Sequence, residues 1–338
     1  MEPITHGLTS LALGRAGINK VTRMATPMLL VAGYAPDVDW ITYFISTPAM
    51  FHYRRAITHS LAGAAVLAVL VATVFWWFGR RHPTAPIRFA RALAVCAIGT
   101  GSHLLLDLPN RYGMRLFWPF NDKWVAWSII DTVDVWMLAA LLLGLLMPGL
   151  FRLVTEEIGA RPERRGPFRG AIVALVLLAV YGTGKVILHE RAVQVLSARL
   201  YHDEAALDVG AFPSYVSPFT WRGIVETENT VQEVEVSVWP GASFDPDRGV
   251  TNYKPDPSPM LEAARQTRAF AEFISFARFP IAKVVRRRDG YRVELRDLRF
   301  SSDYSRWGGF MAVVELDEQM KVLQELITST PQSKLGAR

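Results

Sequence analysis

The sequence has 338 residues and only one cysteine, Cys96. An intramolecular disulfide is therefore impossible, and cysteine usage says nothing about the redox compartment. The N-terminus lacks the basic start, apolar middle and small-residue cleavage site of a signal peptide, so we expect internal segments to direct membrane insertion. The chain also contains no His-Glu-x-x-His motif of the kind found in many zinc proteases.

A basic stripe interleaved with aromatic residues is also missing. The net charge is +6, but the basic residues are grouped in short loops between apolar runs or scattered through the C-terminal part. Because nucleic-acid-binding proteins concentrate their charge along one face, we predict no nucleic-acid partner. Membrane topology explains the positive excess better.

The apolar residues are concentrated in the first half of the chain. Hydrophobic residues make up 51% of the sequence and charged residues 20%, and long apolar runs stop near Leu188. The fold class we predict is an α-helical membrane domain, with about four to five membrane segments plus short helices, followed by a small soluble α+β domain. We place these domains at residues 1–189 and 190–330, with a disordered tail at 331–338.

The membrane domain begins with two apolar segments, 5–14 and 24–34, which are too short to cross a bilayer. Longer apolar segments follow at 61–78, 92–106, 124–150 and 171–188. Arginine-rich loops at 80–91 and 152–169 are expected to be cytoplasmic by the positive-inside rule. In a bacterial-type inner membrane, the opposite loops and the C-terminal domain would then face the periplasmic side.

The C-terminal half shows the alternation of apolar and polar residues that half-buried strands have. Such stretches predict a mostly antiparallel sheet, and they lie at 221–225, 231–239, 291–295, 298–300 and 309–316. Residues 260–276 have helix-like apolar spacing. We find no compact catalytic motif in this half.

Candidate metal ligands occur at the ends of the apolar segments. His103 and Asp107 are four residues apart, so they lie on one face of a helix that Pro109 ends. Asp37 and Asp39 follow the second short segment, and His59 precedes the first long one. The first short segment carries His6 as a further candidate ligand.

Mixed histidine and carboxylate ligands suit zinc or a similar transition metal better than calcium or magnesium. The alternative is that these side chains cap helix ends or form hydrogen bonds within a helix bundle. Six candidates that converge on one membrane face favour the metal site. Asp131 and Asp134 join them, because acidic residues within a membrane segment are functional candidates by default.

Four arginines near these ligands are candidates to hold a phosphate group, since the guanidinium matches two phosphate oxygens. They are Arg54, Arg55, Arg111 and Arg115. Arginines beside a membrane also meet lipid headgroups or water, which is the alternative for each of them. Asn110 either caps a turn or supports a metal ligand.

Four short motifs, carried by His6, Asp37, His59 and His103, occur together in this order: His6, Pro-Asp-Val-Asp, Arg-Ala-Ile-Thr-His-Ser and His-Leu-Leu-Leu-Asp-Leu-Pro-Asn. This combination resembles the YdjM-like family, described as LexA-regulated, membrane-bound, metal-dependent hydrolases. The later Trp-Pro-Phe and Asp-Thr-Val-Asp motifs look like YfhP-type members of that family. The resemblance covers roughly the first 140 residues well and the C-terminal domain loosely.

The family is distantly similar to zinc-dependent phospholipase C, and that similarity implies roles for individual residues. His59, His103 and Asp107 look like metal ligands, Asp37 or Asp39 looks like a bridging carboxylate or a base, and His6 resembles the ligand near the chain start. The glutamate of the phospholipase pattern is missing here, and Asp131 or Asp134 would replace it. Arg55 and Asn110 are then candidates for the catalytic set.

These inferences predict a membrane-embedded hydrolase that binds one to three divalent ions, with zinc favoured and manganese as the alternative. Its predicted partners are the lipid bilayer and a phosphoester substrate, such as an anionic lipid or a lipid-linked phosphate. Two other functions stay open, a metallo-amidase or protease and a metal transporter or sensor without hydrolysis. The sequence predicts no oligomeric state.

Overall fold

The structure is a computed structural model that describes residues 1–44, 53–157, 168–242, 244–300 and 310–328. The predicted tail at 331–338 and residues 158–167 of the predicted arginine-rich loop lie outside the described residues. The chain forms two compact units, and the main division falls between Leu188 and His189. The predicted fold class is confirmed, with membrane helices first and an α+β domain after them.

The first unit is helical. Its α-helices are α1 (Pro3–Arg15), α2 (Ala25–Tyr34), α3 (Leu61–Gly79), α4 (Phe89–Asp107), α5 (Val135–Glu157) and α6 (Phe168–Ser197), the last of which continues beyond this unit. A 3-10 segment, Ala35–Phe44, follows α2. Ser60 caps α3, because its hydroxyl accepts a hydrogen bond from the Gly63 amide.

Three helices in the described part of the chain are long and apolar enough to cross a membrane: α3, α4 and α6. The outer face of α3 carries large exposed apolar side chains, including Leu70 and Phe78. Its other face presents alanines at four-residue spacing, Ala64, Ala68 and Ala72, which are buried. Small residues allow close helix packing, so α3 turns its bulky face outward and its narrow face to α4.

The predicted crossing at 124–150 is wrong at its start. Residues 124–134 are not helical, and α5 begins only at Val135. The carboxylate of Asp134 accepts hydrogen bonds from the amides of Trp136 and Met137 and so satisfies free donors of the first turn. Asp131 and Asp134 therefore precede the helix, whereas we predicted them inside it.

The core of the first unit lies between α2, α3 and α4. Met28 and Leu29 of α2 pack with Val95 and Cys96 of α4 and with Ala68 and Ala72 of α3. Gly99 lets α2 approach α4, because a Cβ at this position would lie 2.8 Å from Ala32 Cβ. This contact fixes the position of α4 along its axis relative to α2. The C-terminal turns of α4 carry His103 and Asp107.

The second unit contains two four-stranded antiparallel sheets and a short hairpin. The hairpin is β1 (Leu200–Tyr201) with β2 (Glu204–Ala205). The first sheet has the order β3-β4-β5-β6, with β3 (Asp208–Pro213), β4 (Thr220–Glu226), β5 (Thr230–Ser237) and β6 (Val250–Tyr253). The second has the order β10-β9-β8-β7, with β7 (Pro280–Arg287), β8 (Gly290–Asp297), β9 (Met311–Leu316) and β10 (Val322–Thr328).

The predicted helix at 260–276 is two helices, α7 (Pro259–Arg265) and α8 (Arg268–Phe276). Thr267 separates them, because its hydroxyl donates to the Ala264 carbonyl and accepts from the Phe270 amide. The predicted strand at 298–300 is a 3-10 turn, Leu298–Phe300. Both errors arise where a side chain forms a hydrogen bond with nearby backbone and so interrupts the regular structure of an apolar segment.

The packing of α2 against α4 predicts different effects for two glycines of α4. Replacing Gly99 with alanine places a Cβ against Ala32, and we expect the free energy of unfolding to fall by about 1–3 kcal/mol. A Cβ at Gly101 meets nothing within 4 Å. Gly101→Ala should leave stability unchanged or raise it by up to about 1 kcal/mol. Thermal unfolding in detergent compares the two, and equal shifts would contradict this packing.

Candidate metal centre

The helix α4 delivers His103 and Asp107 to one buried place. Both residues are almost fully buried, and the distance from His103 Nε2 to Asp107 Oδ2 is 3.4 Å. Their four-residue spacing along the helix produces this contact. The sequence predicted this pair, and the structure brings it together.

His59 reaches the same place from the residue before the Ser60 cap of α3. Its Nε2 atom lies 3.2 Å from His103 Nε2 and 3.3 Å from Asp107 Oδ2. The cap fixes the start of α3, and the Leu61 amide also donates to the Leu116 carbonyl. Two imidazole nitrogens and one carboxylate oxygen therefore meet within about one hydrogen-bond length of each other.

The tautomer of each histidine is set by the partner of its other nitrogen. His103 Nδ1 lies 2.7 Å from the Gly33 carbonyl oxygen, which only accepts, so Nδ1 carries the proton and donates. His59 Nδ1 lies 3.0 Å from Asp39 Oδ2 and donates to that carboxylate. Burial lowers the pKa of His59 below its usual range, which keeps this imidazole neutral.

Both Nε2 atoms consequently present lone pairs towards each other and towards Asp107. Lone pairs at 3.2 Å cannot form a hydrogen bond when neither nitrogen carries a proton. The Met1 ammonium and the Arg55 guanidinium already pair with Asp107, but two facing lone pairs favour a further cation between them. Histidines that ligate metals usually donate their other N–H to a carbonyl or carboxylate, as these do.

His6 and Asp37 extend the cluster on two sides. The His6 ring stacks on His103 with a centroid distance of 3.9 Å, and His6 Nε2 is 3.5 Å from Asp107 Oδ1. Within the described part of the chain, neither ring nitrogen of buried His6 has a hydrogen-bond partner. Asp37 Oδ1 lies 3.8 Å from His59 Nε2 and 3.9 Å from His103 Nε2. Burial raises the pKa of Asp37.

The spacing of these atoms fits a tetrahedral transition metal. Two ligand atoms bound at zinc distances and the tetrahedral angle are about 3.3 Å apart. The observed separations among His59, His103 and Asp107 are 3.2, 3.3 and 3.4 Å. Two groups of possible ligands share His103, one with His6 and Asp107 and one with Asp37 and His59. Buried His and Asp groups here could therefore hold a metal ion.

Asp39 and Arg55 lie beside the ligand groups. Asp39 Oδ2 accepts hydrogen bonds from the Arg55 amide at 2.7 Å and from the Thr58 hydroxyl at 3.1 Å, in addition to His59 Nδ1. This places the carboxylate behind His59, where it orients the ring. Arg55 Nη2 lies 3.0 Å from Asp107 Oδ2 and neutralises part of the acidic charge.

Asp131 and Asp134 do not join either ligand group in the described residues. Asp131 lies 3.5 Å from Arg111 Nε, and Asp134 Oδ2 accepts from the Tyr181 hydroxyl at 2.8 Å. The buried Lys185 of α6 lies near both carboxylates. The structure thus places them in a separate cluster of opposite charges at the start of α5.

The remaining predicted residues occupy three different environments. Asn110 Oδ1 accepts from the Tyr112 amide, and its side-chain nitrogen donates to Thr132, so it holds the turn after α4. Arg54 lies over the Trp40 ring at 4.0 Å in the second unit. Arg115 is buried, and its guanidinium carbon lies 5.3 Å from the Trp124 ring centroid.

Sequence reasoning missed the Gly33 carbonyl, the Met1 ammonium and Thr58 at this centre, and Lys185 in the separate cluster. The Gly33 carbonyl is a backbone group that any residue would offer, so no sequence signal marks it. Thr58 precedes His59 within a recognised motif but was not singled out. Lys185 could have been found, because it is a cation within an otherwise apolar helix.

The geometry predicts different effects for His59 and His103 on metal content. We expect His103→Ala to abolish zinc binding in detergent-purified protein, because both ligand groups use His103, and His59→Ala to remove the zinc held by the group with Asp37. Mass spectrometry of metal content measures this, with exposed His202→Ala as the matched control. Zinc retained in both site variants at the control level would contradict the assignment.

The position of Asp39 predicts a weaker effect than loss of a ligand. Asp39→Asn removes the charged acceptor of His59 Nδ1, so zinc affinity should fall by about 10–100-fold without being abolished. Competition with a fluorescent zinc chelator measures the affinity, with exposed Asp122→Asn as the control. An affinity equal to that of the control would show that Asp39 does not orient His59.

Comparison with known proteins supports the predicted resemblance. The family model described as YdjM inner membrane protein matches residues 1–188, and the YfhP C-terminal alpha/beta plait domain matches residues 259–335. A relative named Uncharacterized protein YfhP, from Bacillus subtilis (strain 168), is 22% identical over 314 residues. This alignment covers 89% of the present chain and 88% of the relative. No solved structure matches.

The matched N-terminal region contains the whole buried cluster of histidines and aspartates described above. It also contains α3 and α4 and most of α6, the three helices that could cross a membrane. Since the family model covers more than half of the sequence, this membrane protein belongs to the YdjM inner membrane protein family.

Proposed function

We propose that this protein is a membrane-embedded, metal-dependent hydrolase of a phosphoester in a lipid or lipid-linked substrate. The observation that carries the proposal is the set of bare Nε2 atoms of His59 and His103 facing Asp107 in a buried site. Such a set binds a cation and leaves room in its coordination for a reactant.

The metal we propose is zinc, with manganese as the alternative. His6, His103 and Asp107 would hold one ion, and Asp37, His59 and His103 would hold another. His103 belongs to both groups, so its use by one ion restricts its use by the other. A bound ion would supply a water of lowered pKa and stabilise the charge on phosphoryl oxygens. The described ligand groups provide for one or two ions.

Asp37 is the most accessible member of the two groups. Its side chain is 19% exposed, whereas those of His6, His59, His103 and Asp107 are almost fully buried. A substrate entering from solvent or lipid would therefore meet Asp37 first. We assign Asp37 the role of accepting a proton from the attacking water. Asp39 and Asn110 support the site through His59 and the turn after α4.

A lipid substrate fits the surface that surrounds the loop after α4. Three aromatic residues of this loop are exposed: Phe117 and Trp127 by about half and Phe120 by 91%. Aromatic side chains are typical of the membrane interface, where a lipid headgroup would lie. The arginine distribution supports a site and a C-terminal domain on the periplasmic side, which we include in the proposal.

The chemistry is tested with full-length protein loaded with zinc. We expect hydrolysis of bis(p-nitrophenyl) phosphate and of a short-chain phospholipid. The rate in Asp107→Asn should be at least about 100-fold lower, because loss of the Asp107 carboxylate disrupts the ligand set. Asp122→Asn is the matched control. The same preparations are assayed with a p-nitrophenyl carboxylic ester and a peptide amide.

Several outcomes would contradict the proposal. An unchanged rate in Asp107→Asn would show that the cluster is not the reaction site. Faster hydrolysis of the peptide amide than of the phosphoesters would indicate a metallo-amidase. Zinc uptake into proteoliposomes without hydrolysis of any substrate would favour a transporter.

A further inference from the structure

The backbone at residues 114–116 is held by hydrogen bonds to three other segments of the chain. The Arg115 amide donates to the Arg55 carbonyl at 2.8 Å. The neighbouring Met114 exchanges backbone hydrogen bonds with Val125, and Leu116 accepts from the amide of Leu61 at the start of α3. The position of Arg115 is therefore set by the same elements that position His59 and the residues after Asp107.

The side chain of Arg115 is buried, and none of the described residues gives it a counter-ion. It is 8% exposed, and Nε has no hydrogen-bond partner among those residues. The other buried arginines of the described residues each pair with a carboxylate: Arg55 with Asp107, Arg292 with Glu294 and Arg299 with Asp297. Arg115 has no carboxylate within 4.0 Å in the described part of the chain. A buried, unpaired cation is costly unless an anion accompanies it.

A series of contacts between rings and guanidinium groups links Arg115 with the candidate metal centre. The guanidinium of Arg115 lies 5.3 Å from the Trp124 ring, which meets the Tyr112 ring edge-on at 6.0 Å. Tyr112 in turn lies 5.2 Å from the guanidinium carbon of Arg55, and Arg55 pairs with Asp107. Arg115 and the candidate ligands thus lie at two ends of one packed assembly.

We infer that Arg115 binds the phosphoryl group of the substrate and distinguishes anionic from neutral substrates. This inference rests on the proposed function and names one of the four candidate arginines for the role. Arg55 and Arg111 are already paired with Asp107 and Asp131. The Arg115 guanidinium lies over the Trp124 ring, and a planar guanidinium offers two parallel donors to a phosphate.

Binding is tested separately from hydrolysis. Full-length protein in detergent, stripped of metal, is titrated calorimetrically with dihexanoyl phosphatidic acid and with inorganic phosphate. We expect Arg115→Gln to bind at least about tenfold more weakly than wild type, because a charge-assisted pair is lost. Arg115→Lys keeps the charge but not the fork, and we expect an intermediate affinity. Exposed Arg23→Gln is the matched control.

The two ligands separate the possible sources of the anion. Binding of the lipid alone identifies a headgroup, whereas equal binding of inorganic phosphate shows that the phosphoryl group suffices. Equal affinities in wild type and Arg115→Gln, or no saturable binding of either ligand to wild type, would overturn the inference. Arg115-dependent binding without any hydrolysis would support the anion site and count against the proposed hydrolase.

Discussion

The membrane domain depends on one electrostatic constraint, the convergence of two neutral imidazoles and a carboxylate in a buried place. The Gly33 carbonyl and the Asp39 carboxylate take the Nδ1 protons of His103 and His59, and this leaves both Nε2 lone pairs directed inward. Lone pairs and a carboxylate repel one another. A cation would convert this repulsion into binding, and this is why we assign the cluster to a metal.

The helix packing serves this constraint directly. The Gly33 carbonyl reaches His103 only because α2 approaches α4 closely, which Gly99 allows. The same approach brings the start of the 3-10 segment, with Asp37 and Asp39, to the C-terminal turns of α4. The large outward side chains of α3 and the narrow alanine face behind them keep the cluster inside the bundle while the outer surface stays apolar.

Two sets of charges in the membrane domain have different tasks. The cluster around His103 combines three aspartates with two cations, the Met1 ammonium and Arg55. The cluster of Asp131, Asp134, Arg111 and Lys185 is balanced in charge. Balanced charges hold a loop against a helix and do not require an ion. Asp131 and Asp134 are therefore better explained as anchors for α5 and α6 than as ligands for a third ion.

The sequence contained most of the information about the elements but less about their partners. The spacing of His103 and Asp107 predicts a shared face because helix geometry is local. The ends of α3 and α4 follow from the apolar runs. The start of α5 was missed because Asp134 caps a helix whose apolar residues merge with the aromatic loop before it.

Contacts between distant segments could not be derived from spacing. No sequence motif marks the hydrogen bond between the Gly33 carbonyl and His103, or the position of Asp39 behind His59. The cap at Thr267 divides one predicted helix into two, since a single hydroxyl outweighs a continuous apolar pattern. Positions fixed by local geometry were predictable, and positions fixed by a long-range hydrogen bond were not.

X-ray absorption spectroscopy at the zinc edge, on zinc-loaded protein in detergent, tests the central claim most directly. The account predicts a first shell of nitrogen and oxygen at about 2.0–2.1 Å, with the outer-shell scattering of at least two imidazole rings. A shell of oxygen alone, without imidazole scattering, would show that His59 and His103 do not face a metal and would contradict the account.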